Sequence, residues 1–213
     1  MNLNPIVLDL ETSGLDKLNS GIWQIGALDF NTGETFLEEA KLDVDDIVEE
    51  ASLKIVGKTE EELRDTNKQT QQQLITNFFN WMAKRPLSNL LCQNPQFDLT
   101  MLELKAKKYG LGLMFHYRSF DLHTIAQTVY HKINGEFLTE EGHSNMSLPK
   151  ISEFCGINDP RIIVSGTEVI KEGAPHNALD DVKLTAECYS RLIFGKNLFP
   201  EYSESKVPSY LQK

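Results

Sequence analysis

Asp9 and Glu11 stand two residues apart at the end of the apolar run Ile6-Val7-Leu8-Asp9-Leu10-Glu11. If that run is a strand, both side chains leave the same face. Two carboxylates so placed repel each other unless cations lie between them, so the pair predicts bound metal. A lone D-x-E also describes a strand that ends at a solvated edge, and other residues must decide. Asn94-Pro95-Gln96-Phe97-Asp98 places an acid early in a helix directly after a strand. His176-Asn177-Ala178-Leu179-Asp180-Asp181 places a histidine five residues before another acid. In α/β sheets the ends of neighbouring strands and the starts of crossing helices converge, so these four carboxylates can surround one point. Such an oxygen-rich set suits hard divalent cations and the phosphate chemistry they support.

The elements that must position these residues follow the chain order. After the first strand and a loop from Ser13 to Gly21, Ile22 to Phe30 and Glu34 to Leu42 read as two more strands joined by a turn at Asn31-Thr32-Gly33. Asp43 to Ile55 predicts a helix, Thr59 to Glu62 a capping box that opens a short one, and Thr70 to Met82 an amphipathic helix stopped by Pro86. Asn89 to Gln93 reads as a strand and Pro95 to Tyr109 as a helix ended by Gly110. Phe115 to Phe120 reads as another strand. Asp121 is read as the cap of the next helix and Ser147 as the cap of a shorter one. A hairpin about Ser165-Gly166 and a last long helix from Asn177 to Phe194 complete an α/β sheet covered by helices.

A chain of 213 residues with a 40% hydrophobic fraction can bury one substantial core, which argues against a disordered protein. It contains no stretch of membrane-span length, and its start lacks the basic and apolar regions of a signal peptide. A cytoplasmic protein with no membrane partner is expected. Cys92, Cys155 and Cys188 are odd in number and widely spaced, which fits reduced interior residues rather than a zinc site or disulfides. The formal net charge of −10 argues against a surface that holds long duplex by general phosphate attraction, so nucleic-acid contacts would be local, made at a strand end and through bound cations.

Taken in order, Asp9-x-Glu11-Thr12-x-Gly14, Asn94-x-x-Phe97-Asp98 and His176-x-x-x-x-Asp181 resemble the three motifs of the DEDDh exonucleases, the DnaQ-like branch of the ribonuclease H-like fold. The resemblance implies a mixed β-sheet, an initial antiparallel meander followed by parallel strands, flanked by helices. It places the exonuclease domain at residues 1–195 and leaves 196–213 as a C-terminal tail that packs loosely or meets a partner. Relatives such as RNase T, oligoribonuclease and polymerase proofreading subunits hydrolyse nucleic acid from the 3′ end and release nucleoside 5′-monophosphates. By that resemblance Asp9, Glu11, Asp98 and Asp181 hold two Mg²⁺ ions, with Mn²⁺ able to substitute and Asp9 bridging both. His176 is the general base, and Thr12, Gly14, Leu15 and Asn94 meet the terminal nucleotide. The implied partners are single-stranded DNA or RNA 3′ ends, a second copy of the chain, and a polymerase or repair complex.

Two departures from the family pattern touch none of the four acids. Gln93-Asn94-Pro95 stands where many members have His-Asn-Ala, and Gln24 stands where glutamate is frequent. Thr12 and Gly14 also suit a simple turn, and Phe97 suits the core better than a base-stacking platform. Two other readings stay open: a catalytically silent nucleic-acid-binding or polymerase-associated scaffold, and a two-metal phosphoesterase acting on small nucleotides. The intact acids and histidine favour an active enzyme over the first, and the terminal-nucleotide loop has no role in the second.

Overall fold

The computed structural model describes residues 5–165 and 167–212. The segment before Pro5 and the expected turn residue Gly166 lie outside the described residues. The sheet is built around β1 (Ile6–Thr12), which pairs antiparallel with β2 (Ile22–Asp29), itself antiparallel to β3 (Thr35–Glu39). Gly33, in the turn between β2 and β3, has φ +74°, a left-handed conformation that costs glycine nothing. Helices α1 (Glu50–Val56), α2 (Glu60–Leu63) and α3 (Gln71–Ala83) precede β4 (Leu90–Cys92), which lies parallel to β1. Next come α4 (Pro95–Lys108) and β5 (Phe120–Asp121), parallel to β4, so the sheet order is β3-β2-β1-β4-β5. The chain continues through α5 (Leu122–Asn134), a hairpin of β6 (Thr139–Glu140) and β7 (His143–Ser144), and α6 (Leu148–Phe154). A second hairpin, β8 (Ile163–Ser165) and β9 (Glu168–Lys171), leads into α7 (Ala178–Phe194).

The strand period of two divides β1 between two cores. Ile6, Leu8 and Leu10 pack with Leu74, Phe78 and Leu102, whereas Val7 packs on the opposite face with Leu122, Ile151 and Val182. Asp9 and Glu11 share the parity of Val7 and therefore face α7. Gly26 stands opposite Asp9 in β2, and a Cβ there would lie 2.4 Å from the carbonyl carbon of Ala178. Only glycine lets the start of α7 settle directly on the sheet beside Asp9.

Several elements differ from the sequence expectation for tertiary reasons. The helix expected from Asp43 begins only at Glu50. Asp46 turns inward instead, its carboxylate accepting from the Asp43 N–H at 2.8 Å and the Gln71 Nε2 at 2.5 Å and facing Lys105 Nζ at 2.6 Å, which holds residues 43–49 as a loop. The strand expected over Phe115–Phe120 shortens to Phe120–Asp121, because the His116 N–H donates to Ser88 and the Arg118 N–H to the His116 ring rather than to a ladder. Both capping boxes, Thr59 with Glu62 and Thr70 with Gln73, are formed. Ser147 and Asp121 occupy N-cap positions, but neither side chain caps the backbone, and the Asp121 carboxylate accepts from the Thr124 hydroxyl.

The end of the chain is not loose. Arg191 of α7 is fully buried and pairs with Glu187 at 2.8 Å, while its remaining N–H groups donate to the carbonyls of Cys155, Tyr202 and Ser205. Glu187 in turn accepts from the N–H groups of Leu198 and Phe199. A buried ion pair must have all its polar atoms satisfied, and here residues past 196 supply those partners together with the Cys155 carbonyl. All three cysteines are free and buried. Among the described residues no helix is long and apolar enough to cross a membrane.

Candidate active site

Four acids reach the carboxyl end of β1 from three elements. Asp9 and Glu11 project from β1 itself, Asp98 from the first turn of α4 after β4, and Asp181 from the first turn of α7. β4 pairs with β1 only at Ile6 and Val7, so the Leu10 N–H beyond that pairing is free to donate to the Asp98 carboxylate. Asn177 caps α7 by accepting from the Leu179 N–H at 3.0 Å, and Gln24, across the sheet from Glu11, accepts from the Ala178 N–H at 2.8 Å. Gln24 thus fixes the start of α7, and with it Asp181.

The acids are buried against one another. Glu11, Asp98 and Asp181 are each less than 8% exposed, and Asp9 is half-buried. Burial pushes the Asp9 carboxyl well above its ordinary range, the charges of Asp181, Asp98 and Glu11 push it further, and Arg161 opposes them. Glu11 is pushed up to about 7 by burial and then by Asp181, against the opposing charges of His176 and Arg161. Asp98 is also pushed up to about 7 by burial, although its own and the Leu10 N–H groups favour its charged form. Glu11 Oε1 is buried without a hydrogen-bond partner among the described residues, a costly state for a carboxylate. Glu11, His176 and Asp181 each offer a ligand atom within 4.8 Å of the others. An acid-rich cluster with excess negative charge and an orphaned buried oxygen fits a divalent cation.

His176 and Asp181 are held from the hairpin side. His176 Nδ1 lies 3.2 Å from Asp181 Oδ2, and Nε2 lies 3.0 Å from the Ile162 carbonyl oxygen. Both neighbours are acceptors, so only a ring carrying both protons satisfies them at once. Burial lowers the His176 pKa, but Asp181 more than offsets it and the net direction is upward. Arg161, just before β8, reaches Asp181 Oδ1 with Nη1 at 2.5 Å and grips Asp159 with Nε and Nη2 at 2.8 and 2.6 Å.

A family model described as Exonuclease matches residues 6–189. The chain belongs to this exonuclease family. All three motif segments lie inside the matched range, and the sheet is the mixed α/β ribonuclease H-like one of exonuclease structures. Exonuclease I superposes with a TM-score of 0.68 at 17% identity, covering 92% of this chain and 43% of that one. E. coli exonuclease I in complex with a dT13 oligonucleotide gives 0.65 at 18% identity, covering 87% and 40%. The nuclease domain of 3′hExo, a DEDDh family member bound to rAMP, gives 0.63 at 18% identity, covering 92% and 94%. In sequence the chain is 25% identical over 193 residues to the DNA polymerase III PolC-type of Thermotoga petrophila. That match covers 90% of this chain and spans only 12% of the polymerase.

The four residues expected to meet a nucleotide separate. Thr12 and Leu15 line a pocket beside Glu11 together with Leu10, Ser52, Ile55, Val56 and Phe97, so Phe97 serves both pocket wall and core margin. The Thr12 hydroxyl donates to the Gly14 carbonyl at 2.8 Å, and a Cβ on Gly14 would fall 2.6 Å from Glu49, so these two residues also shape the loop. Asn94 is exposed and lines a different depression with Gln96, Thr100, Glu103 and Asp121. The site residue that sequence reasoning missed is Arg161, at the foot of the hairpin expected about Ser165-Gly166. Its one signal was a charged Asp159-Pro160-Arg161 at the root of the hairpin, and nothing local tied it to Asp181.

Proposed function

We propose that this exonuclease-family chain removes nucleotides from the 3′ end of single-stranded DNA or RNA and releases nucleoside 5′-monophosphates. What supports the reading is that Asp9, Glu11, Asp98 and Asp181 repel one another at the end of β1, with Glu11 and Asp181 within ligand distance of each other and only Arg161 and His176 opposing them. These four acids are the proposed ligands of two divalent cations, Mg²⁺ with Mn²⁺ as a substitute. Such cations, when bound, make a water acidic enough to attack and steady the charge on the leaving 3′ oxygen. Asp9, facing the other three acids, is the proposed shared ligand. His176 is the proposed general base: to accept a proton it must be neutral, and it must give up its contact with either the Ile162 carbonyl or Asp181. Thr12 and Leu15 supply the wall against which the terminal nucleoside sits, Gly14 keeps that loop tight, and Asn94 meets the neighbouring strand from the α4 side.

The oligonucleotide seen on E. coli exonuclease I and the rAMP on 3′hExo support a single-stranded substrate and a monophosphate product. The PolC-type relative supports a polymerase or repair complex as the setting, and the three free cysteines fit a reducing compartment such as the cytoplasm. Mass analysis of products from linear and circularised single strands tests the reading. Successive 5′-monophosphates from the linear strand and none from the circle are expected. Equal cleavage of the circle would show an endonuclease.

A further inference from the structure

We infer that Arg161 is a tethered counter-cation: it holds Asp181 in the metal-free protein and yields that carboxylate when a divalent cation binds. The inference rests on the metal-binding reading of the four acids. Its basis is the unequal quality of the two contacts that Arg161 makes. Toward Asp159 the guanidinium is gripped along one edge, Nε to Oδ1 and Nη2 to Oδ2, and the Arg161 N–H donates to the same carboxylate at 3.0 Å. Toward Asp181 the guanidinium makes a single contact, Nη1 to Oδ1 at 2.5 Å. The first contact is a bidentate anchor, the strong form of this pair. The second is a charge contact that can be given up while the anchor stays.

The backbone keeps the guanidinium where it is. The Ile162 N–H donates to the Ala174 carbonyl at 2.9 Å and the Ala174 N–H to the Pro160 carbonyl at 3.0 Å. Gly173 lies so close that a Cβ would fall 2.4 Å from the Arg161 carbonyl carbon. The clamped segment ends two residues before His176, and Ile162, next to Arg161, holds the His176 ring. Arg161 is only 6% exposed, so its charge acts on the cluster with little screening by water. It pairs with Asp181, whereas Asp9 and Glu11 make no ion pair among the described residues. A fixed positive charge there relieves carboxylate repulsion without metal and competes with metal for Asp181.

Removing the charge should therefore strengthen metal binding and weaken the metal-free fold. The test is calorimetric titration of Mn²⁺ into EDTA-treated, desalted protein, together with melting with and without Mn²⁺, for the native chain, Arg161→Gln, Arg161→Lys and Asp159→Asn. Arg161→Gln should bind Mn²⁺ about tenfold more tightly, the size of effect one close unit charge has on an ionisation. Its melting temperature should fall without metal and recover with it, while Arg161→Lys stays near the native affinity. Asp159→Asn, which leaves Asp181 as the only carboxylate for Arg161, should weaken Mn²⁺ binding and keeps the inference testable if Arg161→Gln does not fold. Unchanged or weaker Mn²⁺ affinity in Arg161→Gln, with equal melting losses in both conditions, would make Arg161 a structural root of the hairpin and overturn the inference. If the native chain bound no Mn²⁺ at all, the metal-site reading itself would be at fault.

Discussion

Two clusters of acids in this molecule have opposite fates. Asp43, Asp45 and Asp46 lie close together, but each has a cation: Lys105 sits 2.6 Å from Asp46, and Lys108 sits 2.8 Å from Asp43 and 3.1 Å from Asp45. The Tyr109 hydroxyl donates to the same Asp43 oxygen as Lys108, and Gln71 donates to the second oxygen of Asp46. That cluster is complete within the chain and folds the loop from 43 to 49. At the end of β1, the cations facing the four acids among the described residues are Arg161 and His176, and Glu11 keeps a buried oxygen without a partner there. Acid count does not separate structure from chemistry here. The shortage of matching cations does, because unpaired buried charge persists only where something else is to be bound.

The largest effects should break that contrast. Asp9→Ala or Asp181→Asn should lower turnover by orders of magnitude, since each removes a proposed metal ligand. Asp45→Asn, in the completed cluster, should leave turnover within about twofold, because a surface ion pair contributes little. Single-turnover cleavage of a labelled oligonucleotide checks both. His176→Ala should lower turnover by about 10²- to 10⁴-fold while Mn²⁺ binding survives. Near-normal turnover in that variant would reduce His176 to a helix-entry residue.

Stability should respond in the reverse sense. Lys105→Met leaves Asp46 buried and unpaired and should cost about 3–5 kcal/mol in denaturant unfolding, with Mn²⁺ affinity unchanged. Gly26→Ala should cost about 1–3 kcal/mol by overpacking against Ala178, and it should also reduce turnover because Asp181 moves with α7.

A smaller effect concerns pH. Glu11 and Asp98 rise from ordinary values of 4.5 and 3.8 to about 7 in the folded chain, so folding favours their protonated forms. Their contribution is fully present below about pH 4 and is lost as pH rises through about 7. Metal-free protein should therefore melt at least about 3 °C lower at pH 8 than at pH 5.5, and saturating Mg²⁺ should remove the difference. An equal pH dependence with and without Mg²⁺ would contradict the assignment of these acids as ligands.

What sequence could show here was set by how local each feature is. The side on which Asp9 and Glu11 project follows from the strand period, and the places of Asp98 and Asp181 follow from the first turns of helices, so the placement of those four residues was legible. The fit of Gly26 under Ala178 and the cap that Gln24 makes on α7 join segments more than 150 residues apart, and no spacing encodes them. Arg161 was hidden for the same reason. The helix expected from Asp43 failed because Asp46 is drawn to Lys105, and the tail expected to pack loosely or meet a partner is tied to α7 by Glu187 and Arg191, residues that read as one turn of an ordinary helix.

The charge-deficient cluster at the end of β1 should act only with divalent cations. The most direct measurement is the single-turnover rate on a 5′-labelled single strand, taken after EDTA treatment and then across a Mg²⁺ titration. No shortening in EDTA, full recovery with Mg²⁺, and a ladder receding from the 3′ end are expected. Cleavage at the full rate in EDTA would contradict that dependence on metal.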